Sequence, residues 1–160
     1  MEQLIQAFLD ALEDAEIVAV RQLPAMQLPD LTAPVTAVGL AGAKGLEQAF
    51  YAYLGMAEYR GGLTPLYGRK LEADVTLAVY CPRSLGAAEC TQEADRVCEL
   101  LSGTIPGVTL GGFQIGPCRY EPDSDLFACV ITAQAKAYLY ALANEDETEF
   151  TDFILKGVPI

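Results

Sequence analysis

The clearest pattern in the chain is a two-residue alternation over residues 71–80. Apolar side chains occupy the odd positions, namely Leu71, Ala73, Val75, Leu77 and Val79. Successive side chains of a strand point to opposite faces of the sheet, so this pattern predicts a strand with one buried face. Pro82 marks the end of the strand, because proline has no N–H to donate to a ladder.

Two stretches have the spacing of an amphipathic helix. Within residues 2–14 the apolar positions are Leu4, Ile5, Phe8, Leu9 and Leu12. From about residue 86 to 101 the inward-facing set is Cys90, Ala94, Val97, Cys98 and Leu101. Gly103 supplies the stop for the second helix, because glycine is favoured just past a helix end.

Five further strands are predicted around these elements. Residues 17–23 and 35–40 form short strands, joined as a loose hairpin by a proline-containing connection. Residues 108–140 form a long hairpin whose turn, 121–125, has proline and aspartate suited to a type I turn. The last strand lies in the apolar segment 150–158. A helix in the alanine-rich part, residues 133–142, is the main alternative.

A specific register follows for the long hairpin if Tyr120 lies opposite Leu126. That register gathers the apolar side chains on one face, as a half-buried ladder requires. Its other expected neighbours are Phe113 with Ala133, Ile115 with Ile131, Pro117 with Cys129 and Cys118 with Ala128. It therefore predicts no disulfide across the two strands.

The order of elements predicts an α+β fold in a single domain over residues 1–160. The sheet is expected to be mainly antiparallel, with the N-terminal and central helices packed on one face. Residues 145–160 are expected to form an acidic link and the terminal strand.

Residues 42–69 differ from their surroundings in composition. They contain six glycines and four of the eight tyrosines, and no regular period persists apart from a short helix near 46–54. Because loops this long are usually functional, we expect a protruding loop arm. Tyrosine offers adaptable contact area, so the arm is predicted to be an interface through Tyr51, Tyr53, Tyr59 and Tyr67.

A second interface is predicted in the C-terminal segment. Phe150, Phe153 and Ile154 follow the acidic link and are expected to reach a neighbour's sheet edge. The alternative is a last strand docked on its own sheet.

Composition removes several classes of function. The chain has no His, so it holds no serine or cysteine triad with imidazole as the base. Its net charge of −12 argues against specific nucleic acid binding, which requires clustered Lys and Arg. No apolar run approaches the ~20 residues of a membrane span, and an acidic N-terminus lacks the basic start of a signal peptide. We expect no membrane association, catalytic residue, cofactor or metal.

The cysteines fit a reducing compartment. Their number, five, is odd, and no C-x-x-C pair is present, so we expect free, buried thiols. The turn at Glu121, Asp123 and Asp125 is a weak candidate for a calcium or magnesium site, because it lacks the glycine and distal glutamate of an EF-hand loop.

The layout of the whole chain resembles that of one protein family. The features that carry the resemblance are an N-terminal helix, the hairpin at 17–40, a long loop, the strand ending TLAVYCP (76–82), a central helix, the hairpin at 108–140, and the closing FTDFILKGV (150–158). Together they resemble the tail-terminator (tail-completion) proteins of long-tailed bacteriophages, prophages and contractile tail-like particles.

The resemblance implies a structural role. Such proteins are α+β subunits that form a ring, commonly a hexamer, on the finished tail tube, stop its growth and contact the head–neck connector. The implied partners are further copies of the chain, the tail tube protein and the connector protein. The implied location is the host bacterial cytoplasm during assembly and then the virion tail. The family has no catalytic residues, so no site residue is transferred.

The alternative belongs to another class of protein. A small intracellular enzyme or ligand-binding α+β domain would use carboxylates or a cysteine in a pocket between sheet and helices.

Overall fold

The structure is a computed structural model that describes residues 2–21, 31–45, 52–59, 62–142 and 153–156. These residues contain two helices and eight strands. In chain order the elements are α1 (Glu2–Asp14), β1 (Ala19–Arg21), β2 (Val35–Gly45), β3 (Ala52–Tyr59), β4 (Gly62–Pro82), α2 (Gly86–Ser102), β5 (Thr109–Ile115), β6 (Arg119–Glu121), β7 (Leu126–Leu142) and β8 (Phe153–Lys156).

All eight strands belong to one sheet. Its central path is β1-β2-β4-β7-β5, with β3 added to β4, and β6 and β8 added to β7. Every pairing is antiparallel except that of β1 with β2. The predicted α+β class, with an N-terminal and a central helix beside a mainly antiparallel sheet, is confirmed.

The core lies between the two helices and the odd-numbered face of β4. Val75, Leu77 and Val79 are fully buried, as the alternation in the sequence predicts. They share one core cluster with Phe8 of α1 and Val97 of α2. The faces that the helices turn inward are the predicted ones, and both helices have the predicted bounds to within a residue.

The first two strands correct an expectation. They were expected to form an antiparallel hairpin, but β1 and β2 are parallel, with Ala19 opposite Thr36. Thirteen residues, 22–34, separate them, which is the length that a parallel connection needs. Of the predicted strand 17–23, residues 22–23 lie outside the described residues, and β1 covers only Ala19–Arg21.

The arm at 42–69 corrects a second expectation, because its described residues, 42–45, 52–59 and 62–69, form strands and not a loop. Residues 52–59 form β3, and residues 62–70 form the first part of β4, paired as an antiparallel hairpin. Residues 42–45 extend β2. The predicted helix near 46–54 is wrong at 52–54, which are strand, and its residues 46–51 lie outside the described part. The many glycines and tyrosines leave no regular spacing of apolar residues in this part of the sequence. The strands are stabilised by side-chain pairs across the hairpin.

The long hairpin matches its predicted register only in part. Phe113 lies opposite Ala133 and Ile115 opposite Ile131, as predicted. Nearer the turn the register moves by one residue, so that Tyr120 lies opposite Phe127. The shift occurs between β5 and β6, where the N–H of Gly116 donates to the carbonyl of Val130 at 2.8 Å. The alternative of a helix at 133–142 is wrong, because β7 continues to Leu142.

The C-terminus of α1 ends in a Schellman motif. The N–H of Ile17 donates to the Leu12 carbonyl, and the N–H of Glu16 donates to the Glu13 carbonyl, both at 2.9 Å. Glu16 has the left-handed backbone that this motif requires, with φ of 57°. Arg96 of α2 holds the same end, since its Nη2 lies 3.0 Å from the Ala15 carbonyl oxygen.

Replacing Glu16→Gly is expected to raise the free energy of unfolding by about 0.5–1 kcal/mol, because glycine adopts a positive φ without strain. Chemical denaturation measures the change. The matched control, Glu13→Gly, lies inside the same helix and should lower stability by about 1 kcal/mol. Equal effects of the two variants would show that the backbone at Glu16 is not strained.

A buried hydroxyl lies in the core beside β4. Thr36 of β2 is fully buried opposite Val79, and its Oγ1 has no hydrogen-bond partner within the protein. A buried hydroxyl without a partner loses its bonds to water and gains nothing in return.

Replacing Thr36→Val keeps the shape of the side chain and removes that hydroxyl. We expect the free energy of unfolding to rise by about 1–2 kcal/mol. Thr76→Val on β4, where the side chain is half-buried, serves as the control and should change it by less than about 0.5 kcal/mol. A loss of stability in Thr36→Val would mean that the hydroxyl has a partner after all.

Candidate interface surface

The β3–β4 hairpin extends the sheet beyond its helices. Strand β2 pairs with one edge of β4 only as far as Leu71. On the same edge, β3 pairs with β4 from Gly68 to Gly62. On the other side, β7 accompanies β4 as far as Leu66. Among the described strands, residues 62–65 of β4 pair with β3 alone. We call residues 52–59 and 62–67 the hairpin tip.

Two of the predicted interface tyrosines meet on the hairpin tip. Tyr53 of β3 and Tyr67 of β4 lie directly opposite each other. Their ring centroids are 5.9 Å apart with an interplanar angle of 62°, an edge-to-face contact. Tyr53 is nevertheless 58% exposed and Tyr67 42% exposed. The rings therefore support each other while about half of their surface still faces solvent.

Two further apolar side chains extend this surface. Met56 lies opposite Pro65 and is 41% exposed, while Leu63 lies at the end of the hairpin and is 72% exposed. Leu63, Pro65 and Tyr67 occupy odd positions of β4, so the pleat places them on the same face as the buried residues at 73–79. The apolar face of the core thus continues onto the hairpin tip, where neither α1 nor α2 covers it.

A bulge at Gly55 places the β3 side chains on this face. The register of β3 against β4 shifts between Tyr53 and Gly55, and Gly55 has φ of 137°. The extra residue reverses the alternation, so Tyr53 and Met56 face the same side although they are three residues apart. Glycine tolerates that backbone angle.

Sequence reasoning missed Met56 and Leu63. A usable signal was present, because the odd-numbered alternation that identifies the strand at 71–79 continues backward through Tyr67, Pro65 and Leu63. Arg69 interrupts it, which made the strand look ten residues long when it is 21.

Of the remaining predicted interface residues, Tyr59 lies in the hairpin tip, and the other four do not. Tyr51 and Phe150 lie outside the described residues. Tyr59 ends β3 opposite Gly62. Phe153 and Ile154 lie in β8, opposite Ala141 and Tyr140 of β7, so this segment pairs with the chain's own sheet.

The sheet ends at two unlike edges along its central path. At one edge, β5 is exposed along nearly its whole length, including Phe113 and Ile115. At the other, β1 borders an open groove of about 530 Å³ between the strand and α1, lined by Leu9, Val18 and Arg21 among others. A second groove of about 410 Å³ lies at the bulge in β5, beside Asp74 and Gln134.

The acidic turn before β7 forms a cluster of side chains. Asp125 accepts a hydrogen bond from the Tyr120 hydroxyl and lies 3.4 Å from Nη1 of Arg83. The Arg83 guanidinium also sits over the Tyr120 ring, 5.6 Å from its centroid. The hydrogen bond from Tyr120 and the charge of Arg83 lower the pKa of Asp125.

The cluster includes Asp125, which is one of the three carboxylates of the candidate cation site. Asp125 is held by Tyr120 and Arg83, whereas Glu121 receives a weak contact from Ser124 at 3.4 Å. Within the described ranges, no group of three or more Cys, Asp or Glu side chains is arranged to hold a metal ion. Neither helix in the described part of the chain is long and apolar enough to cross a membrane.

No protein-family model matches the chain, and no curated protein matches it at a significant level.

The Asp125 cluster predicts a dependence of stability on pH. Because the folded-state pKa of Asp125 lies below its unfolded value, its contribution is present above about pH 4 and is lost as pH falls through the folded pKa. Asp125→Asn keeps a residue that tolerates the positive φ of 55° but removes the charge.

We expect Asp125→Asn to melt at a lower temperature than the parent chain at pH 7, and the difference to shrink below about pH 4. Thermal unfolding followed by circular dichroism from pH 2 to pH 7 measures it. A difference that is the same at every pH would contradict the role assigned to the Asp125 charge.

Proposed function

We propose that the protein is a structural assembly subunit of the tail-terminator type. Copies form a ring, commonly hexameric in the family that the sequence resembles, on the end of a phage tail tube. The ring ends growth of the tube and offers a surface to the head–neck connector.

The single observation that carries this proposal is the uncovered apolar face of the hairpin tip. Tyr53, Met56, Leu63 and Tyr67 lie on one face and are each between 41% and 72% exposed. Fully burying a large apolar side chain contributes about 1.5–3 kcal/mol. A partner that covers these four side chains therefore gains a substantial part of the free energy that an interface needs.

The form of the hairpin also favours a partner. A two-stranded ribbon is marginally stable in water unless another layer covers its apolar face. Residues 62–65 of β4 have β3 as their only neighbour in the described sheet, and neither helix covers them. Contact with another subunit would supply the missing layer.

The two sheet edges support a ring in preference to a two-fold dimer. The exposed β5 edge and the grooved β1 edge differ in shape, so each can contact the other on a neighbouring copy. Such head-to-tail contacts close into rings when the rotation between copies permits.

The charge of the chain suits a ring around a DNA channel. A net charge of −12 per copy opposes binding to phosphates, so DNA would pass without being held. Tight, salt-sensitive retention of DNA at low ionic strength would contradict this part of the proposal.

The direct test mixes the purified protein with tail tubes of its own phage or tail-like particle. Electron microscopy then scores the fraction of tubes with a closed, widened end. We expect closed ends at micromolar protein, and we expect added protein to stop further tube growth. Tubes that stay open and keep growing at saturating protein would contradict the proposal.

The paired change Tyr53→Thr and Tyr67→Thr should reduce binding to tube ends by about tenfold or more, because it removes two aromatic contacts while keeping strand-forming residues. Co-sedimentation with tubes measures the binding. Leu85→Thr is the matched control, since Leu85 is 44% exposed and precedes α2, away from the hairpin. Unchanged binding of the double variant would exclude the hairpin tip as the contact.

A further inference from the structure

Four of the five cysteines converge at one end of α2. Cys81 lies near the end of β4, Cys90 in the first half of α2, Cys118 just before β6 and Cys129 in β7. Cys81 and Cys129 occupy the inward face of the sheet, where Cys129 lies opposite Val79. All four are free thiols in the structure.

The thiol of Cys118 lies against the helical turn that carries Cys90. Its Sγ is 3.9 Å from the carbonyl oxygen of Ala87, three residues before Cys90 on α2. Residues three apart on a helix are neighbours on its surface. Cys90 points inward, with its Sγ 3.9 Å from the carbonyl oxygen of Val79. A side-chain hydrogen bond between the two thiols places their sulfurs close together, at the boundary between core and surface.

The register shift of the long hairpin brings a third thiol near. Since Arg119 lies opposite Ala128, the preceding residue, Cys118, extends the same ladder toward Cys129 and not toward Ala128, where it was expected. The Sγ of Cys129, however, already donates to the carbonyl oxygen of Gly116 at 3.3 Å. The Sγ of Cys90 lies 3.9 Å from the carbonyl oxygen of Val79, a longer contact than this one.

The environments of the thiols assign their roles. Burial, and then the neighbouring Cys118, raise the pKa of Cys90. Burial also raises the pKa of Cys129. Cys118 is only half-buried. The attacking sulfur must be reachable by an oxidant and must ionise, whereas the second sulfur needs only to lie within reach of the first.

We propose that Cys118 and Cys90 form a reversible disulfide when the protein meets a small-molecule disulfide such as oxidised glutathione. The Cys118 thiolate attacks one glutathione sulfur, which forms a mixed disulfide and releases one glutathione thiolate. Cys90 then loses its proton and attacks the Cys118 sulfur, which releases the second glutathione. The protein loses two protons and two electrons, and these reduce one oxidised glutathione to two reduced ones.

The bond would fasten α2 to the segment between β5 and β6. A reducing cytoplasm keeps both thiols free, and an oxidising exterior favours the bond. If the proposed function holds, the disulfide would form after particles leave the cell. The chemistry itself does not depend on that function.

The test uses the full-length Cys98→Ser chain and oxidised glutathione. In this chain trypsin places Cys90 alone in fragment 84–96 and Cys118 alone in fragment 97–119. After alkylation of free thiols and digestion without reductant, we expect mass spectrometry to find these two fragments joined. The melting temperature should rise by roughly 5–10 °C and return after reduction.

Two further variants show whether Cys118 forms its disulfide with Cys90 or with Cys129. Cys118→Ser, at a half-buried position, should abolish both the joined fragments and the rise in melting temperature. Cys129→Ser should retain both. The proposal is overturned if fragment 97–119 joins the fragment that contains Cys129, if Cys118 stops at the mixed disulfide with glutathione, or if no cysteine reacts.

Discussion

The pairing of β4 with β7 is the interaction on which the rest of the structure depends. The two strands run antiparallel over seventeen residue pairs, from Leu66 opposite Leu142 to Pro82 opposite Leu126. One face of this ribbon carries the buried side chains of the core, and both helices pack against it. Every other strand except β1 joins either β4 or β7 directly. The fold is therefore a long two-stranded ribbon to which the shorter elements are added.

The ribbon is longer than the core that covers it. The helices cover the part that contains residues 73–81 of β4, whereas the hairpin tip extends past them. The same odd-numbered face is buried at one end and exposed at the other, where Leu63 and Tyr67 lie. The proposed assembly follows from this mismatch, because apolar surface that one subunit leaves exposed favours contact with another.

The sequence predicted the parts of the fold in which apolar residues recur at a regular spacing. It predicted both helices and the strand at 71–80 because burial on one face leaves a regular pattern. It did not predict the parallel pairing of β1 with β2, since the sequence of a short strand does not specify which strand it pairs with or in which direction. It also missed the one-residue shift near Cys118, because a bulge depends on both strands at once. At the candidate surface, composition identified Tyr53 and Tyr67, whereas Met56 and Leu63 required the full extent of β4.

Hydrogen–deuterium exchange with mass spectrometry tests the central claim most directly, by comparing the free protein with the protein bound to tail tubes. The account predicts that amides in residues 52–67 exchange at least about tenfold more slowly when bound, because packing against a neighbour suppresses opening of the ribbon. Amides in residues 126–135 of β7, which already lie in the core, should change little. Equal exchange of residues 52–67 in both states would contradict the claim that this apolar face is where the protein meets its neighbour.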